Sequence, residues 1–265
     1  MNSVDINGIR LEIEQIPAPA ATAAAPLVFL HEGLGSVAMW RDWPAQVCAA
    51  TGRAGLVYSR QGYGRSAPTP DVRGEPAERD GRRSGRLRPD YMHREALQVL
   101  PALLERLEIV RPVLVGHSDG ATIALLHASR HPVAACVVLA PHVIVEELSV
   151  QAIAQAREAY LSGDLRARLA RHHTDVDCAF WQWNEVWLSP EFRDFDIRQD
   201  CRRIGAPLLA IQGIEDPYGT LAQIHDIAAA APQARLLELP ACGHSPHRDQ
   251  AGAVTAAIAD FLRSA

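Results

Sequence analysis

Short, continuously apolar runs recur along the chain: "PLVFLH", "GLVYSR", "PVLVGH", "ACVVLAP", "PLLAIQG" and "ARLLELP". Each has the length of a strand, and none alternates polar with apolar, so each predicts a strand buried on both faces. Between most of them the spacing turns helical, as in "REALQVLPALLERLEI" and "AQIHDIAAAA". Strands of this kind alternating with helices predict an α/β fold, a mostly parallel β-sheet flanked by helices on both faces. The N-terminal "VDINGIRLEIEQI" centres on Asn7-Gly8 and predicts an antiparallel hairpin with a two-residue turn. "PAPAATAAAP" reads as a low-complexity connector.

Two segments break the alternation. Residues 67–90 are rich in Pro, Gly and both charge signs. Acids interleave with the arginines there, which favours a mobile surface loop over an anion-binding patch. Residues 142–204 carry helical patterns and no strand run, so they predict a helical cap inserted into a core formed by 1–141 and 205–265. The insert holds Phe180, Trp181, Trp183 and Trp187. These aromatics can be the inner face of a small helical unit, or a lid facing a ligand.

With 265 residues, 48% of them apolar, the chain suits one domain with an insertion. A net charge of -5 offers no electrostatic reason for nucleic acid. All 26 basic residues are arginine, which excludes a Schiff-base or Walker A lysine. Five cysteines (48, 136, 178, 201 and 242) lack CxxC spacing and fit a reducing compartment better than a zinc ribbon or a disulfide scaffold. The N-terminus lacks a basic-then-apolar leader, and "VAACVVLAPHVIVEE" is too short and interrupted to cross a bilayer. A cytoplasmic protein that binds no membrane is expected. The pattern does not choose between monomer and homodimer.

The chemistry centres on "VLVGHSDGAT", where a strand runs through Gly116-His117-Ser118-Asp119-Gly120 into a helix. A strand, a sharp turn and a helix around G-x-S-x-G form a nucleophile elbow, which lifts the serine hydroxyl clear of the sheet. A serine needs a base, and the base needs an orienting acid. "LLAIQGIEDPYGT" places Asp216 three residues beyond Gly213, with Glu215 as the neighbouring alternative. "LLELPACGHSPHRD" places His244 after the last strand. Ser118, Asp216 and His244, each following a predicted strand in that order, are the expected catalytic triad. "PLVFLHEGLGS" ends a strand in glycines whose amides can turn toward a negative oxygen, so the expected oxyanion donors are the amide of Asp119 and that of Gly33, or else Leu34. No metal site is expected, because His172-His173 and His244-x-x-His247 lack further ligands. His247 reads as a neighbour of the site or as a surface residue.

These motifs resemble the serine α/β-hydrolase superfamily over nearly the whole chain. The resemblance rests on "HEGLGS", "SRQGYGRS", "GHSDG", "GIEDP" and "CGHSPH", and on the place of the helical insert. Serine followed by aspartate at the elbow, and an acid motif ending Asp-Pro, are also similar to the valacyclovir-hydrolase type of amino-ester hydrolase. Glu32 departs from the pattern, since a glycine usually follows the histidine there. The resemblance implies a cofactor-free hydrolase of a carboxylic ester or thioester acting through an acyl-enzyme on a small acyl or aryl substrate. It leaves open a C–C bond hydrolase of an aromatic ring-cleavage product and a non-catalytic ligand receptor on the same fold. Ser118 in place of an aspartate nucleophile, and Asp119 in place of methionine, separate the chain from dehalogenases, epoxide hydrolases and cofactor-free haloperoxidases. Expected around the substrate are Glu32, Leu34, Trp181, Trp183 and Trp187.

Asp119 and Glu32 raise a further question. A carboxylate about 7 Å from a developing oxyanion opposes it by roughly 2 kcal/mol at an effective dielectric near 20. Either an arginine such as Arg60 compensates it, or the acid binds an amino group on the substrate.

Overall fold

The structure is a computed structural model that describes residues 2–79 and 82–264. β1 (Asn2–Ile6) and β2 (Ile9–Ile16) make the expected hairpin. Asn7 and Gly8 take φ of 54° and 75° at its turn, the left-handed geometry that matches strand twist and that these two residues tolerate. The six apolar runs form β3 (Leu27–Leu30), β4 (Gly55–Tyr58), β7 (Val113–His117), β8 (Ala135–Leu139), β9 (Leu208–Gly213) and β10 (Ala234–Leu239), with the short β5 (Ala77–Arg79) and β6 (Arg82–Ser84) between β4 and β7. The main sheet runs β1-β2-β4-β3-β7-β8-β9-β10. Pairing is parallel from β4 to β10, while β2 is antiparallel to both its neighbours.

Both faces of the sheet are covered over β3, β4, β7, β8 and β9, which is why these strands are apolar without alternation, whereas β10, expected to be buried in the same way, is the edge strand and is largely exposed. Leu27, Phe29, Val113 and Val115 enter one apolar layer, and Val28, Leu30 and Leu114 enter the other. The first layer is closed by the helices Trp43–Thr51 and Ala251–Ser264, the latter through Val254, Ile258, Phe261 and Leu262 at helical spacing. The second is closed by Asp119–Ala128, Ala222–Ala230 and the helix expected from "REALQVLPALLERLEI". That last helix starts earlier than its pattern predicts, at Tyr91, and runs to Arg106 through a π turn at Glu95–Val99. Pro101 lies just beyond the π turn. A proline there has no amide to donate and would crowd the carbonyl four residues back, so the wider turn relieves it.

Residues 67–90 are more regular than a loop, because β5 and β6 pair as a two-stranded ribbon apart from the main sheet. Residues 80 and 81 of that segment lie outside the described residues. Between β8 and β9 the chain forms the helices Glu147–Ser162, Leu165–Leu169, Val176–Trp187 and Arg198–Cys201 and contributes no strand to the main sheet. Among the described residues no helix is long and apolar enough to cross a membrane.

The strand order decides where a site can form. From β3 the chain moves out to β4 on one side, then returns to β7 on the other. Connections leaving in opposite directions open a crevice beyond the carboxyl ends of β3 and β7. The "HEGLGS" loop and Ser118 both stand at those ends.

Candidate active site

Ser118 joins β7 to the helix Asp119–Ala128 with φ 53° and ψ -120°. This is a strained conformation for a residue with a side chain. The flanking glycines let strand and helix come close enough to impose it. A Cβ on Gly116 would overlap the carbonyl oxygen of Gly120, and a Cβ on Gly120 would overlap that of Leu30.

Three strand ends bring three side chains into one hydrogen-bonded line. His244 Nε2 lies 2.9 Å from Ser118 Oγ, and His244 Nδ1 lies 2.8 and 2.9 Å from the two oxygens of Asp216. The carboxylate is held from behind by the Tyr218 amide (2.8 Å) and by Gln212 Nε2 (2.7 Å). Burial pushes the Asp216 carboxyl up, but the hydrogen bond and charge of His244 and the Tyr218 amide outweigh it and hold the carboxyl below its ordinary value. The alternative acid, Glu215, is exposed, and its amide is tied to Cys242 O (3.0 Å). His117 Nε2 donates to the carbonyl of His244 (2.6 Å), which anchors the loop that carries the imidazole.

The loop after β3 is aimed by its carbonyls. Glu32 O accepts from His31 Nδ1 (2.6 Å), Arg60 Nη2 (2.9 Å) and the Gly35 amide (3.1 Å). His31 Nε2 accepts from the Arg60 amide (3.0 Å), which leaves Nδ1 as the protonated nitrogen. Burial, and then Arg60, keep this histidine well below its ordinary pKa, so it is neutral. In a trans peptide the N–H points opposite the C=O. Three donors on the buried side of Glu32 O therefore turn the Gly33 amide toward the crevice. The amides of Gly33, Leu34 and Asp119 donate to no acceptor among the described residues.

The cavity beside Ser118 measures about 120 Å³, and Glu32, Gly33, Leu34 and Asp119 are part of its wall. A larger cavity of about 340 Å³ lies under the β5–β6 ribbon among Arg83, Arg86, Arg88 and Arg94. It holds none of Ser118, Asp216 and His244, which meet at the smaller cavity. Trp183 and Trp187 line the cavity beside Ser118, the former packed over Gly33. Trp181, expected at the substrate, is elsewhere. Its ring lies 4.1 Å from the Arg73 guanidinium and edge-on to Phe180 at 5.2 Å. Helical geometry is the reason, since positions i and i+4 share a face and i and i+2 do not.

Residues that sequence patterns did not single out complete the wall: His117, His142, Ile153, Tyr218 and Ser245. His142 follows the end of β8 by three residues, as Asp216 follows β9, and that spacing was the one signal available for it. Of the two readings of His247, neighbour of the site or surface residue, the structure shows the first. His247 is 2% exposed and wedged against Trp40, Trp43 and His117.

Both wall acids already have partners. Asp119 is fully buried and accepts from Tyr91 Oη (2.6 Å) and Trp187 Nε1 (3.2 Å), with Arg60 Nη2 at 3.8 Å. Burial raises its carboxyl above the ordinary value, opposed by Arg60 and these two donors. Glu32 lies 3.3 Å from Arg248 Nη2 and 3.5 Å from His117 Nδ1. Burial works against its charge, but those neighbours hold the Glu32 carboxyl well below its ordinary value.

Comparison with known proteins speaks to the family and the fold. A relative named "Putative carbamate hydrolase RutD", from Klebsiella pneumoniae (strain 342), is 28% identical over 269 residues, covering 92% of this chain and 94% of its own. The enol-lactonase of Burkholderia xenovorans LB400 superposes with a TM-score of 0.72 at 22% identity, over 99% of this chain and all of the other. A structure from work on carboxylesterases of Nitrososphaera gargenis superposes with a TM-score of 0.74 at 18% identity, over 100% and 99% of the two chains. At those identities the two structures speak for the fold alone. The model of the alpha/beta hydrolase family matches residues 27–258, most of the chain, and the chain is a hydrolase belonging to that family.

Proposed function

We propose that the protein is a cofactor-free serine hydrolase that cleaves a carboxylic ester, or a thioester, through an acyl-enzyme. The observation that carries this reading is the unbroken line from Ser118 Oγ through His244 to a buried Asp216, on a serine held at φ 53°. Ser118 attacks the acyl carbonyl while His244 Nε2 takes its proton. Asp216 keeps Nδ1 protonated and stabilises the imidazolium. The amides of Asp119 and Gly33 receive the oxyanion, and positive potential at the N-terminus of Asp119–Ala128 adds to them. His244 then returns the proton to the leaving group, and water repeats the sequence to release the acid. Residues 142–204 act as the cap, contributing Ile153, Trp183 and Trp187 to the wall over Ser118. That wall suits a small acyl or aryl substrate. The name of the 28% identical relative adds carbamates to the esters worth testing, since a carbamate presents the same kind of carbonyl.

The test is Ser118→Ala. It is expected to lower kcat on p-nitrophenyl acetate by about 10⁴ to 10⁶, to abolish labelling by a fluorophosphonate, and to leave the circular dichroism spectrum unchanged. A variant that keeps a tenth of the wild-type rate overturns the mechanism.

A further inference from the structure

We infer that His142 is a substrate-recognition residue, selecting a short acyl group that carries a neutral hydrogen-bonding substituent such as a hydroxyl or oxo group. The inference rests on the serine-hydrolase reading and goes beyond it to the class of acyl group.

His142 is 3% exposed and shares the cavity wall with Ser118. Its backbone is fastened on every side. Thr122 Oγ1 donates to its carbonyl (2.7 Å), its own amide donates to Thr122 Oγ1 (3.2 Å), and the next amide, of Val143, donates to Gln223 Oε1 (2.7 Å). The ring stands edge-on to Trp187 at 5.0 Å and 5.7 Å from the ring of His244. Neither of its nitrogens hydrogen-bonds to a protein group among the described residues, and Nδ1 is fully buried.

A buried polar atom without a partner is costly, and proteins retain few of them. An apolar side chain would fill the same space between Trp187 and His244 without that cost. The other charged groups of the wall are already engaged, Asp119 by Tyr91, Trp187 and Arg60, and Glu32 by Arg248. A cationic amine on the substrate therefore finds no free carboxylate at Asp119, whereas a neutral oxygen finds an uncommitted imidazole. Burial, and then the neighbouring His244, push the His142 pKa down to about 3. The ring is accordingly neutral across the working range of pH, leaves Nε2, the nitrogen that is not fully buried, to donate or accept, and does not compete with His244 for the serine proton. Ile153, Trp183, Trp187 and Leu34 make much of the remaining wall apolar. A volume of about 120 Å³ has room for about four water molecules, which sets the acyl group at a handful of heavy atoms.

The experiment compares kcat/KM for ethyl butyrate, ethyl 2-hydroxybutyrate, ethyl 3-hydroxybutyrate and the ethyl ester of 2-aminobutyric acid by pH-stat, in the wild type, His142→Phe and His142→Gln. The wild type is expected to prefer one hydroxy ester over butyrate by at least about tenfold, as sites built to hydrogen-bond a substrate group do. His142→Phe keeps a ring in place and is expected to erase that preference, lowering kcat/KM for the preferred hydroxy ester by at least about tenfold more than for butyrate. His142→Gln is expected to restore part of the preference. The inference is overturned if the wild type treats butyrate and both hydroxy esters alike, if the amino ester is the preferred substrate, or if His142→Phe slows all of them equally, which marks a purely structural role. Fluorophosphonate labelling of Ser118 separates the two levels. Labelling and butyrate turnover without a hydroxyl preference remove only the role of His142, whereas no labelling and no turnover remove the serine-hydrolase reading and this inference with it.

Discussion

At Ser118 a strained backbone and a crowded set of charges meet. Two carboxylates stand in the wall where negative charge would develop, and each is neutralised by a different cation, Asp119 by Arg60 and Glu32 by Arg248. Arg60 does more than balance charge. One nitrogen, Nη2, reaches both the carbonyl of Glu32 and the carboxylate of Asp119, so a single guanidinium orients the two chain segments whose amides are proposed to hold the oxyanion. Arg60→Met is expected to lower kcat by about 10- to 100-fold with little change in KM, somewhat less than the loss of a direct donor. It is also expected to reduce stability by about 3 kcal/mol, because it leaves Asp119 buried without its cation. Steady-state kinetics and urea unfolding read the two effects separately, and a KM-only effect sinks the positioning role. For the acid, Asp216→Asn is expected to cost up to about 10⁴ in kcat through the wrong imidazole tautomer. Glu215→Gln, on an exposed side chain, is expected to stay within about twofold of wild type, since surface changes of this kind have small effects. The opposite ranking would transfer the role to Glu215.

The decisive element is the close packing of β7, the elbow and the helix Asp119–Ala128 against β3. Gly120 sits where that helix touches the carbonyl of Leu30, and a methyl group there must push helix and strand apart. Gly120→Ala is expected to destabilise by about 3 kcal/mol or more, as overpacking against immovable backbone does. Gly252→Ala is the control. It lies in the helix Ala251–Ser264 with nothing within 4 Å of an added Cβ, and it should be neutral or stabilising by up to about 1 kcal/mol. Urea midpoints check both, and equal effects would show that the glycine at the elbow is not required by packing. The helix Val176–Trp187 obeys the same helical geometry. Trp183 and Trp187 share the face toward Ser118, while Trp181 packs on the other side between Arg73 and Arg157.

At the scale of the whole molecule, five histidines among the described residues are buried with depressed pKa values: His31, His127, His142, His173 and His247. Burial is the largest cause in each, and His127 and His142 are pushed down to about 4 and about 3. Unfolding returns such a side chain to an ordinary value near 6.5. Between the folded and unfolded values the unfolded chain holds the extra proton. Stability is therefore fully present above about pH 6.5 and is lost as the pH falls toward the folded values. Each histidine contributes about 1.4 kcal/mol per pH unit inside its window. Urea unfolding at pH 7, 6 and 5 is expected to show stability falling steeply below pH 6.5, with uptake of more than one proton on unfolding. His142→Phe should make that slope shallower by one proton. A flat profile would contradict the buried, neutral state of these rings. Glu32 and Asp216 act at lower pH, because their depressed carboxyls give stability that is present above about pH 4.5 and lost as they protonate.

What was legible in the sequence was local or periodic. Unbroken apolar runs mark strands buried on both faces, Asn7-Gly8 marks a turn that only such residues make easily, and the two glycines around Ser118 mark a place where backbones touch. The order of Ser118, Asp216 and His244, each just after a strand, was enough to nominate a triad, because parallel strands end on the same edge of a sheet. The ribbon within 67–90 was missed because its strands are only three residues long. Trp181 was misplaced although its two-residue offset from Trp183 already separated them on a helix. Other features had no local signal at all. Strand order alone brings the "HEGLGS" loop beside Ser118, and only packing reveals that Arg60 serves two segments, that Asp119 is spent on Tyr91 and Trp187, and that His142 faces the site with no partner. The hydrogen bonds of Arg60 to Glu32 and of Tyr91 and Trp187 to Asp119 join residues 28 to 68 positions apart in the chain. A hydrogen bond between such residues leaves no periodicity behind, and only the folded backbone decides which of many polar side chains meet.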